Sequence, residues 1–404
     1  MSISSVDAAG AADRRRRWVA DRVLLTLWIA GAAAAPLLPF AGLARNRLVS
    51  AAPVELAAAL LPWQAWTAAG LAALLLVAAV ASPLPRRLAE GLVLAAAGGL
   101  LVLLLAAVGD YAGRAVSPEA PAARVALGSA FWVLLFCCTL ALINAFQRLR
   151  AGLAPQVLFA LAMTAAVAAL FALGHFDALS IMREYANRSD AFGSELLTHL
   201  RLVGSALLPA LALGLPLGLW AWRRPAVRTG LFGLLNVFQT IPSIALFALL
   251  VAPLSALGDA VPALKALGVK GIGAAPAVIA LVIYALLPVV RNTYAGFAGV
   301  PPAAIEAARG MGMTPRQVLW RVELPLALPV ILSGLRIVTV QAIGLTVVAA
   351  LIGAGGLGTF IFQGLGQYAI DLVLLGAIPT IVLAVAADFL LQILVALSRP
   401  KGAR

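Results

Sequence analysis

Residues 273–296, GAAPAVIALVIYALLPVVRNTYAG, and residues 327–350, ALPVILSGLRIVTVQAIGLTVVAA, are two apolar runs of 24 residues, each holding a single charge, Arg291 in the first and Arg336 in the second. A helix of roughly 20 apolar residues crosses the ~30 Å hydrocarbon core of a bilayer, so each run is long enough to span it. Neither alternates apolar and polar residues in segments of about ten, as the strands of a membrane barrel would. Between them lies FAGVPPAAIEAARGMGMTPRQVLWRVELPL, residues 297–326, whose Glu306, Arg309, Arg316, Arg321 and Glu323 make it too polar for lipid.

The same pattern extends over the whole chain of 404 residues, which is 63% hydrophobic and 11% charged. Apolar runs at 18–41, 64–81, 88–109, 125–146, 155–174, 196–221 and 229–251 precede the two above, and 371–397 follows them. The expectation is an all-α polytopic membrane helix bundle of about ten spans. Residues 1–175 form an amino-terminal five-span extension, 176–195 an external linker, and 196–404 a five-span core that contains the loop 297–326.

The formal charge of +13 would suggest nucleic acid in a soluble protein. Here the basic residues sit in small groups at the ends of apolar runs, the pattern of orientation signals, and no nucleic-acid partner is expected. With ten alternating spans, 18 Lys and Arg fall on one side, from Arg14 to Arg17 at the start through Arg86, Arg148, Arg223 and Arg309 to Arg404, against 9 on the other. The positive-inside rule then puts both termini and the loop 297–326 in the cytoplasm. Arg14 to Arg17 before an apolar stretch also resemble a secretory signal, but that stretch continues through Pro36 to Phe40, and an uncleaved anchor is expected. Cys137, Cys138, His175 and His199 are the only Cys and His residues, which leaves no metal cluster of that type.

Within 297–326, Pro301 and Pro302 favour a helix start, Gly310 and Gly312 permit a turn, and Thr314-Pro315 supplies an N-cap with proline at the first helical position. Gln317 to Val322 is expected as a second short helix ended by Pro325. This arrangement resembles the cytoplasmic coupling loop of ABC importer permeases: Glu-Ala-Ala, three residues, Gly, nine residues, an aliphatic residue, one residue, Leu-Pro. Glu306, Ala307, Ala308, Gly312, Val322, Leu324 and Pro325 match it at every spacing. The resemblance implies that this loop docks into a groove of an ATP-hydrolysing subunit.

Phe238 to Phe247, Leu287 to Tyr294 and the glycine run Gly353 to Gly358 are similar to the permeases of glycine betaine, choline and carnitine importers, over about residues 196–397. That resemblance implies a permease subunit in the bacterial inner membrane, working with an ABC ATPase subunit, a second permease copy or paralogue, and an external substrate-binding protein. The solute is an osmoprotectant of that kind or another small polar solute such as an amino acid. The glycine run has no Lys-Ser/Thr of a phosphate-binding loop. ATP and Mg are therefore expected on the partner ATPase, with no cofactor bound by this chain and no catalytic residue in it.

Asn236, Gln239, Thr240 and Ser243 stand at i, i+3, i+4 and i+7, one polar stripe on a helix, next to Pro242, which weakens that helix. The stripe either lines a translocation pathway or hydrogen-bonds to a neighbouring helix. Arg336 and Asp388 lie at similar depth in the last two spans. They pair with each other, or Asp388 pairs with Arg291, or Arg336 snorkels to the surface. An ion-coupled secondary transporter would instead show intramembrane acids and inverted repeats. An intramembrane enzyme would need a nucleophile with its base, or a metal site.

Overall fold

The computed structural model describes residues 21–46, 49–80, 85–116, 122–266 and 268–399. Arg14 to Arg17, Arg47, Lys401 and Arg404 of the charge argument, and the first residues of the span 18–41, lie outside them. The chain divides into two compact units, Met1–Arg183 and Glu184–Arg404. Among the described residues, nine helices have the length and hydropathy to cross a membrane.

The first unit holds α1 (Arg22–Leu37), β1 (Ala41–Ala44), β2 (Ala52–Val54), α2 (Leu56–Ala59), α3 (Pro62–Val80), α4 (Arg86–Ala115), β3 (Arg124–Leu127), α5 (Ser129–Leu149) and α6 (Leu153–Ala172). Helix α1 starts where the Asp21 carboxylate accepts from the Leu24 N–H at 3.1 Å. Its 16 residues rise about 24 Å, short of the ~30 Å core, because the backbone turns extended at Leu38. The strands amend the all-α expectation: they form a small antiparallel sheet in the order β2-β1-β3, with Ala41 opposite both Val54 and Leu127. The sheet pairs the backbone of connectors that pack over buried Phe40 and Phe131, where an unpaired N–H or C=O would be costly. At Gly128 a Cβ would lie 2.2 Å from the Pro39 carbonyl oxygen, so no side chain fits there.

Contacts at the two ends of this unit fix how its helices alternate. Val125 of β3 bridges to Leu179, just beyond α6, so the segments after α1, α4 and α6 meet at the sheet end. Asp21, Glu90, Asn144 and Arg148 meet at the opposite end. Helices α1, α3, α4, α5 and α6 therefore run alternately up and down.

The division between units falls inside α7 (Ser180–Asn187). The second unit continues with α8 (Ser189–Arg223), α9 (Pro225–Thr240), α10 (Ser243–Ala260), α11 (Pro262–Ala266), α12 (Ala274–Ala298), α13 (Pro302–Gly310), α14 (Pro315–Val318), α15 (Leu324–Ala349), α16 (Gly358–Gly366) and α17 (Ile370–Ser398). Residues 176–195, expected as a linker, are largely helical. Helices α8 and α12 approach closely through glycine, as small residues allow between helices in lipid. A Cβ on Gly218 would come 2.5 Å from Thr293 Cβ, and one on Gly214 would come 2.6 Å from Val289 Cγ1.

Two proline expectations differ from the structure. The run 229–251 is not one helix: it breaks between α9 and α10 at Ile241 and Pro242, and only α10 has the hydropathy of a span. Proline lacks the N–H and disfavours the helical region for the residue before it, and Ile241 is extended. Pro325, by contrast, does not end a helix. Leu319–Glu323 is a π turn that leads from α14 straight into α15, with Pro325 in the first turn of α15. The wider winding keeps the proline ring clear of the preceding turn's carbonyl.

Candidate functional site

The segment 297–326 is held by apolar packing beneath it. Phe297, Val300 and Ala327 are buried with Ile305, Leu319, Leu324 and Trp222 around them, and Trp222 stacks on Phe297 at 5.3 Å between centroids. Ala308, Val318 and Glu323 face inward. Glu306 and Ala307 are exposed, as are Met311 at 71% and Trp320 at 66%. The outer face thus mixes small and apolar side chains with the exposed charges Glu306, Arg309, Arg316 and Arg321.

The turn between α13 and α14 is built locally. Gly312 takes φ +79°, which a Cβ disfavours, and its N–H donates to the Arg309 carbonyl at 2.9 Å. The Thr314 N–H donates to Gln317 Oε1 at 2.8 Å, while Thr314 Oγ1 accepts from the Gln317 N–H at 3.4 Å, a reciprocal cap. Val322 and Leu324 are half-buried and Pro325 is exposed.

At the broken seventh run the structure separates the stripe residues. Asn236, Gln239 and Thr240 lie on α9, but Ser243 starts α10, so no continuous four-residue face forms. Gln239 Nε2 donates to the Tyr284 carbonyl of α12 at 2.6 Å, and Thr240 Oγ1 donates to the Val237 carbonyl at 2.7 Å. The Tyr284 hydroxyl donates to the Ile241 carbonyl that the break frees. Asn236, Thr240 and Pro242 are exposed.

Arg336 of α15 and Asp388 of α17 are brought together as a fork. Arg336 Nε and Nη2 donate to the two Asp388 carboxylate oxygens, the second at 2.6 Å. Arg291 of α12, the other candidate partner, is exposed. Such bidentate geometry is the strong form of an ion pair.

Three polar clusters escaped sequence reasoning. Asn144 Nδ2 and Arg148 Nη1 reach Asp21 Oδ2 at 2.6 and 2.9 Å, and Arg148 Nε reaches Glu90 Oε1 at 2.5 Å. At the sheet end of the first unit, Asp110 accepts from Gln64 Nε2 at 2.7 Å and lies 2.8 Å from His175 Nδ1. In the second unit the Gly356 N–H donates to Glu195 Oε2 at 2.5 Å, beside His199, which is fully buried. Among the described residues, no group of three or more His, Cys, Asp or Glu is placed to hold a metal ion.

Residues 210–399 match the family described as binding-protein-dependent transport system inner membrane component, and residues 21–182 match the one described as ABC transporter permease YehY, N-terminal domain. The chain is 41% identical to the carnitine transport permease protein OpuCB of Listeria monocytogenes, over 51% of this chain and 87% of that protein. It is 42% identical to the osmoprotectant import permease protein OsmW of Salmonella typhimurium, over 51% of this chain and 91% of that protein. With the glycine betaine/proline betaine transport system permease protein ProW of Escherichia coli it shares 34% identity over 65% of this chain and 69% of that protein. The proline-bounded loop 297–326 between two membrane helices falls inside the matched residues 210–399, and the chain belongs to the binding-protein-dependent family of ABC transporter permeases, multi-pass components of the inner membrane.

Proposed function

We propose that this permease serves an ATP-driven importer of small quaternary ammonium osmoprotectants such as glycine betaine, choline or carnitine. The observation that carries the reading is identity of 41–42% over about nine-tenths of relatives named for carnitine and osmoprotectant transport. The loop 297–326 then lies in the cytoplasm, as do both termini, and its exposed Glu306, Ala307, Met311 and Trp320 meet a separate ATPase subunit that binds ATP and Mg. Two permease chains, identical or paralogous, enclose the path, with Asn236, Gln239, Thr240 and Ser243 near the break in the seventh run contributing to it. An external binding protein delivers the solute.

The test is uptake of radiolabelled glycine betaine, choline and carnitine in cells lacking other osmoprotectant systems and expressing this chain with its ATPase and binding protein. Uptake should require the ATPase. Gly312→Trp and Glu306→Lys should abolish it while membrane levels of the chain stay unchanged. Uptake of amino acids in place of these solutes overturns the substrate class. Normal uptake in both variants overturns the role of the loop.

A further inference from the structure

We propose that the amino-terminal unit binds one phospholipid, through an acyl chain seated in a cleft between α1, α3, α4 and α5. The cleft has a volume of about 430 Å³ and is lined by Leu, Ala, Gly, Pro, Trp and Cys side chains alone. Its one strong side-chain donor, the Trp28 indole N–H, is already given to the Ala72 carbonyl at 2.8 Å. Water there would lack the two to four polar partners that hold a buried water. An empty space of this size would deprive every lining atom of dispersion contacts on one side. Helices α3, α4 and α5 have the length and hydropathy of membrane spans, so the medium beside the cleft is hydrocarbon, and an acyl chain meets neither objection.

The dimensions and the rim fit one leaflet. Leu24, Leu75 and Leu104 at the inner wall are buried, whereas Pro36, Ala65 and Ala69 at the rim are exposed. From Ala65 to Leu75 along α3 is about ten residues, or ~15 Å, half of the ~30 Å hydrocarbon core. The first five residues of α3 include Trp63 and Trp66, 57% and 79% exposed, the residue type that sits at headgroup level. Beside the cleft-lining Leu60, the exposed Arg114 is fixed by donating to the Ala59 carbonyl at 2.6 Å, which sets a cation at the same end for the lipid phosphate. The exposed Glu55 adjoins the cleft-lining Leu56 at the same end, so it is depth and the tryptophan pair, with Arg114 as the available cation, that favour a phospholipid entering from the leaflet at the sheet end.

The full chain is purified in mild detergent, washed free of bulk lipid, and its bound lipid identified and counted by native mass spectrometry and a phosphorus assay. About one phospholipid per chain is expected. Ala65→Leu combined with Ala69→Leu, which fills the cleft from α3, should remove it. Added phosphatidylglycerol should raise the melting temperature of the original chain and leave that of the filled variant unchanged. Equal retention by both chains overturns the proposal, and a retained free fatty acid overturns the phospholipid. A second measurement needs no variant: phosphatidylcholine with a photoreactive group in its acyl chain should crosslink to residues 28–36 and 65–75. Crosslinks confined to other helices overturn the site.

Discussion

Replacing Arg336 with Leu leaves Asp388 inside the membrane without its cation. Arg336 lies about 12 residues past the start of α15, and Asp388 about 10 residues before the end of α17, so both are ~15–18 Å from their helix ends. Removing one partner from a fully buried pair typically costs ~3–5 kcal/mol. Neither side chain is fully enclosed by protein, at 37% and 36% exposed. A lone charge at the centre of a membrane helix costs ~2.5–3.5 kcal/mol on insertion scales before bilayer thinning and water defects relieve it, so about 2 kcal/mol is expected for Arg336→Leu. Asp388→Leu should cost less, because a released arginine can extend toward the headgroups and an aspartate cannot. With both positions Leu the site is apolar and matched to its surroundings. The double substitution should then cost no more than about 1 kcal/mol against an additive sum of ~3, a coupling of about 2 kcal/mol. The assay is unfolding of the purified chain in mixed micelles by increasing SDS, with the four chains of the cycle measured side by side. A double variant whose loss equals the sum of the single losses within ~0.5 kcal/mol would refute the pair as a stabilising unit.

Gly218→Ala puts a Cβ 2.5 Å from Thr293 Cβ and 2.8 Å from the Val290 carbonyl oxygen, and overpacking of this kind costs ~1–3 kcal/mol. Size-exclusion yield of folded protein should fall, whereas Gly204→Ala on the same helix, with nothing within 4 Å of the new atom, should not change it. Tyr284→Phe leaves the Ile241 carbonyl unpaired at the break and should destabilise by about 1 kcal/mol, seen as faster hydrogen exchange around residues 238–246 with little change elsewhere. Reporter fusions after Arg150, Arg224 and Arg316 should give cytoplasmic signals, and fusions near Arg188 and Gly356 external ones; a cytoplasmic signal at Arg188 is incompatible with alternating crossings.

The long helices were readable because bilayer thickness imposes a minimum run of apolar residues that needs no knowledge of neighbours. The expected 64–81 and 371–397 fall on α3 and α17. The loop turn was readable for a related reason: Pro301, Gly312, Thr314 and Pro315 act on their own backbone within four residues. Prolines were less so. Pro242 breaks its run and Pro325 does not, and Pro209, Pro216, Pro288 and Pro329 also lie inside helices, so a proline by itself does not announce a break. The strands were hidden because β1 and β3 are four residues each and pair across about 80 positions. Arg336 and Asp388 stood out as charges in apolar runs. Glu195, though, passed as part of a polar connector, and its partner Gly356 lies 161 residues away.

From Pro315 to Ile352 the backbone stays helical for 38 residues, a strut about 57 Å long. One end carries the exposed Trp320. The other meets Gly273, whose N–H donates to the Ile352 carbonyl at 2.9 Å, and the glycine turn pinned on Glu195. The π turn at Leu319–Glu323 and Pro329 are the places where such a strut bends, so a push at Trp320 divides between bending there and movement of the far end. Whatever part of a shift at Trp320 is not taken up at those two places reappears as axial travel or rotation at Gly353.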